Sequence, residues 1–204
     1  CEKGSSRYTS RKGLSVPFST PAIFLNKYSM SMFNSALYNV LKRRSGFSTV
    51  NYEPYFFPLD NIRNWNRLYG SQGFLQYQFA IPLSSAKQGV SEVLKKVSDS
   101  GKSPLLSVLK KFGEKNENYL SFPFSGYSLA MDFKREKNLF PLLDALDEII
   151  LAHGGRLYLA KDARMSEDVF KKSYLNWEKF LAIKSQVDPH NIFASLQSNR
   201  VGLT

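Results

Sequence analysis

Residues 73–82 read Gly73-Phe74-Leu75-Gln76-Tyr77-Gln78-Phe79-Ala80-Ile81-Pro82. Aromatic and aliphatic residues dominate this stretch, and a glycine and a proline bound it, so residues 74–81 are predicted to form a strand. Beyond it, Ser84 or Ser85 can cap a helix in which Val90, Val93, Leu94 and Val97 share one face and which Gly101 ends. Residues 105–112 read as a second strand, closed by Gly113, with a polar loop at residues 114–118. Tyr127, Leu129, Met131 and Phe133 alternate with Ser128, Ala130 and Asp132, which is the period of a third strand. Leu139, Leu142, Leu143, Leu146, Ile149 and Ile150 make an amphipathic helix stopped by Gly154-Gly155, and residues 156–160 read as a fourth strand. The order β-α-β-β-α-β predicts an α+β fold: an antiparallel sheet with a ferredoxin-like core and both helices on one face, because right-handed crossovers force that placement.

Flanking segments are simpler. A helix is expected from Asn26, with Met30, Phe33, Leu37, Val40 and Leu41 at helical steps and Gly46 after the basic run Lys42-Arg43-Arg44. Pro17 and Pro21 break regular structure before it. Residues 166–187 read as a helical tail split near Tyr174 and ended by Asp188-Pro189.

The 204 residues carry 43 % hydrophobic and 14 % aromatic side chains, enough for a core and too many for wholesale disorder. The single cysteine, Cys1, excludes an internal disulfide or a cysteine-based zinc site, and two histidines, His153 and His190, argue against a multi-histidine metal site. No apolar run approaches the ~18 residues of a membrane span. The net charge of +11 is uneven, since residues 1–44 hold eight basic residues and one acid. That end suits nucleic acid, anionic lipid or a phosphorylated ligand, or is a solvated basic surface. The chain begins with Cys, and a fragment of a longer protein is expected.

The usual catalytic signatures are missing: there is no Gly-x-Ser-x-Gly elbow, P-loop, Gly-x-Gly-x-x-Gly or His-Glu-x-x-His. The second strand also lacks the motif by which ferredoxin-like RNA-recognition domains stack bases. Polarity is unexpected at three places. Gln76 and Gln78 project side by side from one face of an apolar strand, either toward solvent or as a hydrogen-bonding wall for a polyhydroxy ligand. Lys161 follows the fourth strand, where it meets either a ligand at the rim of the sheet or its neighbour Asp162 in a surface ion pair. Of Lys110 and Lys111, one must point to the opposite face.

Residues 58–70, Pro-Leu-Asp-Asn-Ile-Arg-Asn-Trp-Asn-Arg-Leu-Tyr-Gly, followed by residues 73–79, carry a resemblance. It continues through Leu120-Ser121-Phe122-Pro123, residues 126–133, residues 154–162 and Val187-Asp188-Pro189, and ends at Ile192-Phe193-Ala194-Ser195. Over residues 50–203 the chain resembles the C-terminal half of FAD-linked sugar oxidases of the vanillyl-alcohol-oxidase superfamily, nearer to the decaprenylphosphoryl-β-D-ribose oxidases than to the D-arabinono-1,4-lactone oxidases. The resemblance implies a substrate-binding cap at residues 1–155 and a segment at residues 156–204 that returns to an FAD-binding domain. That N-terminal domain would be absent from this chain and act in cis, so the chain alone is expected to be inactive. The implied activity is oxidation of a hydroxyl of a sugar, sugar lactone or lipid-linked phosphoribose by hydride transfer to FAD. Lys161 and Tyr158 match positions beside flavin and substrate, and so are the implied catalytic and cofactor-binding residues. Gln76, Gln78, Lys110, Ser128 and Ala130 match pocket positions, with Ser128 in place of an amide residue and Ala130 where some relatives carry cysteine. No metal and no nucleic-acid partner are expected. A cytoplasmic location with peripheral contact at the inner membrane surface is expected. The alternative is a basic ferredoxin-like module that binds RNA or anionic lipid.

Overall fold

The computed structural model describes residues 14–19, 27–43, 46, 49, 51–57 and 62–204. The expectations that rest on Cys1, Pro21, Asn26, Arg44 and residues 58–61 lie outside them. The chain divides into two compact units, residues 1–73 and 74–204.

In the first unit, β1 (Leu14–Ser15) pairs in parallel with β2 (Ile62–Arg63). Arg67 holds this pairing from outside, since its Nη1 donates to the carbonyls of Val16 (3.1 Å) and Pro17 (2.9 Å). Between the strands run α1 (Lys27–Arg43) and α2 (Tyr52–Phe56). The basic last turn of α1, Lys42 and Arg43, suits the negative end of its dipole. Leu37 and Val40, which fall at helical steps in the sequence, are exposed. A 3-10 turn at Trp65–Tyr69 follows, and Trp65 donates to the hydroxyl of the buried Tyr69 at 3.2 Å.

The second unit has the predicted order. Strands β3 (Phe74–Pro82), β4 (Leu106–Phe112), β5 (Gly126–Lys134) and β6 (Arg156–Leu157) alternate with α3 (Ala86–Asp99) and α4 (Leu139–Ala152). The sheet runs β4-β5-β3-β6 and every pairing is antiparallel, which is the ferredoxin-like arrangement. Tyr77, Phe79 and Ile81 of β3 and Leu129, Met131 and Phe133 of β5 face Val93 and Val97 of α3 and Leu139, Leu143, Leu146 and Ile150 of α4 in one core. Both helices therefore cover the same face, as expected. At the end of α4, Gly154 turns the chain at φ 70°, its N–H meets Leu151 O and that of Gly155 meets Ile150 O, closing a Schellman motif.

Two local readings are corrected. The fourth strand stops at Leu157, and residues 159–161 form a 3-10 turn. Ser85 stands at the N-cap of α3, but its hydroxyl donates to the carbonyl of His153 at 2.8 Å and does not cap the helix. His153, expected as a helix-end residue, does end α4, and its ring meets Glu92 of α3 at 2.9 Å.

The tail is split where expected, into α5 (Glu167–Ser173) and α6 (Trp177–Val187). Tyr174 between them is buried and donates to Leu157 O at 2.6 Å, which ties the tail to β6. A further helix, α7 (Leu196–Arg200), was not read from the sequence, although Ser195 and Ser198 form a capping box at its start.

Candidate functional site

Strand parity decides which side chains share a face. Gln76 pairs with Asp132, Gln78 with Ala130 and Ala80 with Ser128, while Val108 and Lys110 of β4 stand beside Ala130 and Ser128. The five pocket positions named from the sequence, Gln76, Gln78, Lys110, Ser128 and Ala130, therefore lie on the face that α3 and α4 leave uncovered. This face is not simply solvated, because Gln78 is 8 % exposed and Ser128 fully buried. The amide of Gln78 donates to Ser128 Oγ at 3.0 Å and that of Gln76 to Asp132 Oδ1 at 2.6 Å. The amides are thus fixed in orientation rather than free to rotate. Lys110 shares the face but is exposed.

Tyr158 and Lys161 come to the same place from the other side of β3. The N–H of Tyr158 donates to Gln78 O at 2.9 Å, one bond beyond the last paired residue of β6. The chain then turns away, and the gap between the edge of β3 and residues 158–164 is a small crevice bordered by Gln76, Gln78, Tyr158, Lys161 and Arg164. The Tyr158 ring stacks on Phe122 with centroids 4.4 Å apart, and Phe122 packs edge-on against Phe112. Lys161 is exposed and takes part in no ion pair among the described residues. Its expected partner Asp162 binds Arg200 instead, at 2.8 Å.

The turn that carries Lys161 is held by charge. Asp162 accepts from the backbone N–H of Arg164 (2.9 Å) and Met165 (2.7 Å). Burial pushes this carboxyl up, but those two N–H groups, then Arg200 and Gln197, outweigh burial and hold it below the usual range. Arg164 forks between Asp144 Oδ1 (2.5 Å) and Asp147 Oδ2 (2.7 Å) of α4. Asp147 is buried, which raises its pKa, and its other oxygen accepts from the Tyr77 hydroxyl at 2.6 Å.

Asp132, Asp147 and Arg164 were not singled out from the sequence. For Asp132 the signal was present in the alternation of β5, where it shares a side with Ser128 and Ala130. The other two are joined across 17 residues, and no local spacing reports such a pair.

The sequence profile of the D-arabinono-1,4-lactone oxidase family matches residues 69–201. This chain belongs to that family. The family is one of FAD-linked oxidases. The chain is 33 % identical over 205 residues to decaprenylphosphoryl-beta-D-ribose oxidase of Mycolicibacterium smegmatis, covering 99 % of this chain and 44 % of that protein. A Streptomyces coelicolor protein described as uncharacterized, in the mprA 5′ region, is 32 % identical over 133 residues, covering 65 % of this chain and 36 % of its own length. The chain thus spans less than half the length of these relatives.

The crevice offers groups chemically suited to the edge of a flavin: Tyr158 gives an anchored aromatic ring, and Lys161 an ammonium with no ion-pair partner among the described residues. A glycine-rich phosphate cradle opening a helix is not found among the described residues. Nor do they contain a cluster of His, Cys, Asp or Glu that could hold a metal. No described helix is long and apolar enough to cross a membrane.

Proposed function

We propose that this chain is the substrate-binding part of a flavin-dependent oxidoreductase that oxidises a hydroxyl of a sugar, a sugar lactone or a lipid-linked phosphoribose. The observation that carries the reading is the meeting of Gln76, Gln78, Tyr158 and Lys161 at one crevice, in a chain of this family. In this reading residues 1–155 cap the flavin, and residues 156–204 return to an FAD-binding domain that lies outside this chain.

When bound, FAD supplies a two-electron acceptor for the hydride leaving the substrate carbon. The protein groups bind and orient. Gln76 and Gln78, held by Asp132 and Ser128, present amides that both donate to and accept from hydroxyls. Lys161 places a positive charge where the substrate oxygen becomes negative as its proton leaves, a contact stronger in the transition state than in the ground state. Tyr158, fixed by the Phe122 stack, walls the space between them.

The test is Lys161→Ala in the flavin-loaded full-length protein, read by anaerobic single-turnover reduction. The expected loss is about 10²–10³ in rate, typical of removing one such donor. Stability should move by less than about 0.5 kcal/mol, because the side chain is exposed and unpaired. Reduction within a factor of about three of wild type would show Lys161 to be a bystander.

One observation favours a second reading, contact with anionic lipid. Tyr28, Met32 and Tyr38 of α1 are exposed on the helix that ends in Lys42 and Arg43.

A further inference from the structure

The two halves of the crevice come from different elements. Gln76 and Gln78 sit on β3, whereas Tyr158 and Lys161 sit on residues 158–161 after the truncated β6. Beyond the β3–β6 pairing, the backbone bond between them among the described residues is Tyr158 N–H to Gln78 O. That bond fixes Tyr158 but leaves Lys161, three residues on, to be placed by something else. A 3-10 turn of three residues has too few internal hydrogen bonds to be rigid alone.

On the helix side of the sheet, a chain of contacts spans the same two elements. Tyr77, between the two glutamines, donates to Asp147 Oδ1 at 2.6 Å. Asp147 Oδ2 accepts from Arg164 Nη2 at 2.7 Å, and Arg164 Nη1 donates to Asp144 Oδ1 at 2.5 Å. Arg164 lies three residues beyond Lys161 and borders the crevice. Asp147 is 2 % exposed, and burial of a carboxylate is costly unless it is paired and hydrogen-bonded. Hydrophobic residues could fill the space beside α4 more cheaply. The fork does what they could not: it sets one distance and one angle between α4 and the turn, and the Tyr77 hydroxyl ties the same Asp147 to β3.

We propose that Asp147 and Arg164 are positioning residues for the candidate site, fixing the Lys161 turn against the glutamine-bearing strand, with Tyr77 orienting Asp147. The inference rests on the proposed role of Lys161 and adds to it how that lysine is aimed. Neither Asp147 nor Arg164 need touch substrate. Arg164→Lys keeps the charge but offers a single nitrogen, so it cannot span Asp144 and Asp147 together. Asp147→Asn keeps the acceptor for Tyr77 and the volume, but removes the charge that holds Arg164.

The experiment has two arms. In the first, amide hydrogen exchange is followed in this chain without flavin. Both variants should speed exchange at residues 158–165 by about tenfold or more, while the strands β3 and β5 keep their protection. Asp147→Asn with Arg164→Lys together should speed it no further than either alone, because they break the same contact. Uniform acceleration over the whole of residues 74–204 would make the pair mere scaffolding and overturn the proposal. So would unchanged exchange in the turn, or additive effects. In the second arm, the flavin-loaded full-length variants should reduce flavin about tenfold or more slowly at saturating substrate, with the flavin spectrum kept. Wild-type rates in both variants would overturn the proposal. A wild-type protein whose flavin no sugar reduces would instead remove the functional reading, and the first arm would still decide how the turn is held.

Discussion

Asp162 ties the end of the site turn to the C-terminal tail, beside the hold that Arg164 makes on α4. Its carboxylate gathers two backbone N–H groups, Arg200 and Gln197. Because the folded pKa lies below the unfolded value of about 3.9, this group contributes stability above that value and loses it as pH falls through the folded pKa. Asp162→Asn should therefore cost about 1.5–3 kcal/mol near neutral pH, in the range of hydrogen bonds to a charged group. Denaturant melts between neutral pH and about pH 3 should show the gap to wild type narrowing only below about pH 4. The sequence did not disclose this residue's part. It stands beside Lys161, and adjacency suggested a surface pair, whereas its partners Gln197 and Arg200 are 35 and 38 residues away. By contrast, the placement of Gln76, Gln78, Ser128 and Ala130 on one face was legible, because strand parity is local and survives any tertiary arrangement. What parity withheld was their burial, and hence that the amides are locked.

At the scale of elements, the α4–β6 junction leaves no room for a side chain. A Cβ at Gly155 would stand 2.6 Å from Ala80 O and 2.7 Å from Ile150 Cγ2. Backbone cannot yield there without parting β6 from β3, so Gly155→Ala should destabilise by about 1–3 kcal/mol. The denaturant midpoint should fall with the slope unchanged. Helices, strands and their order were readable here, since each has a clear period and a glycine or proline boundary. The extent of β6 was not. Arg156-Leu157-Tyr158-Leu159-Ala160 alternates and is β-prone, yet the carbonyl of Leu159 is taken by Gln197 of α7 at 2.7 Å. Tertiary partners for the backbone override propensity at Leu159, and that is where the crevice opens.

For the whole molecule, every buried residue of the two hydrophobic clusters lies, among the described residues, between positions 77 and 203. A fragment spanning residues 74–204 should then fold alone, with one cooperative transition seen alike by far-ultraviolet circular dichroism and by tyrosine fluorescence. Non-coincident curves, or no transition, would show that the first unit is needed. The sheet order has a further consequence for how the protein is made. Synthesis delivers residues from the N-terminus onward, and segments begin to order as they emerge. Strand β3 comes first of the four, yet its two neighbours are β5 and β6, the last to arrive. Pairing of Pro82 with Gly126 closes a loop of about 44 residues before any central ladder exists, and Phe79 must then wait for Leu157. A nascent chain that has reached Ala152 already holds the glutamine wall and the helix that bears Asp147, but neither Tyr158 nor Lys161. In the proposed reading, the groups that would bind substrate are therefore made before the lysine that would act on it, and the lysine turn is the last part of the candidate site to be born.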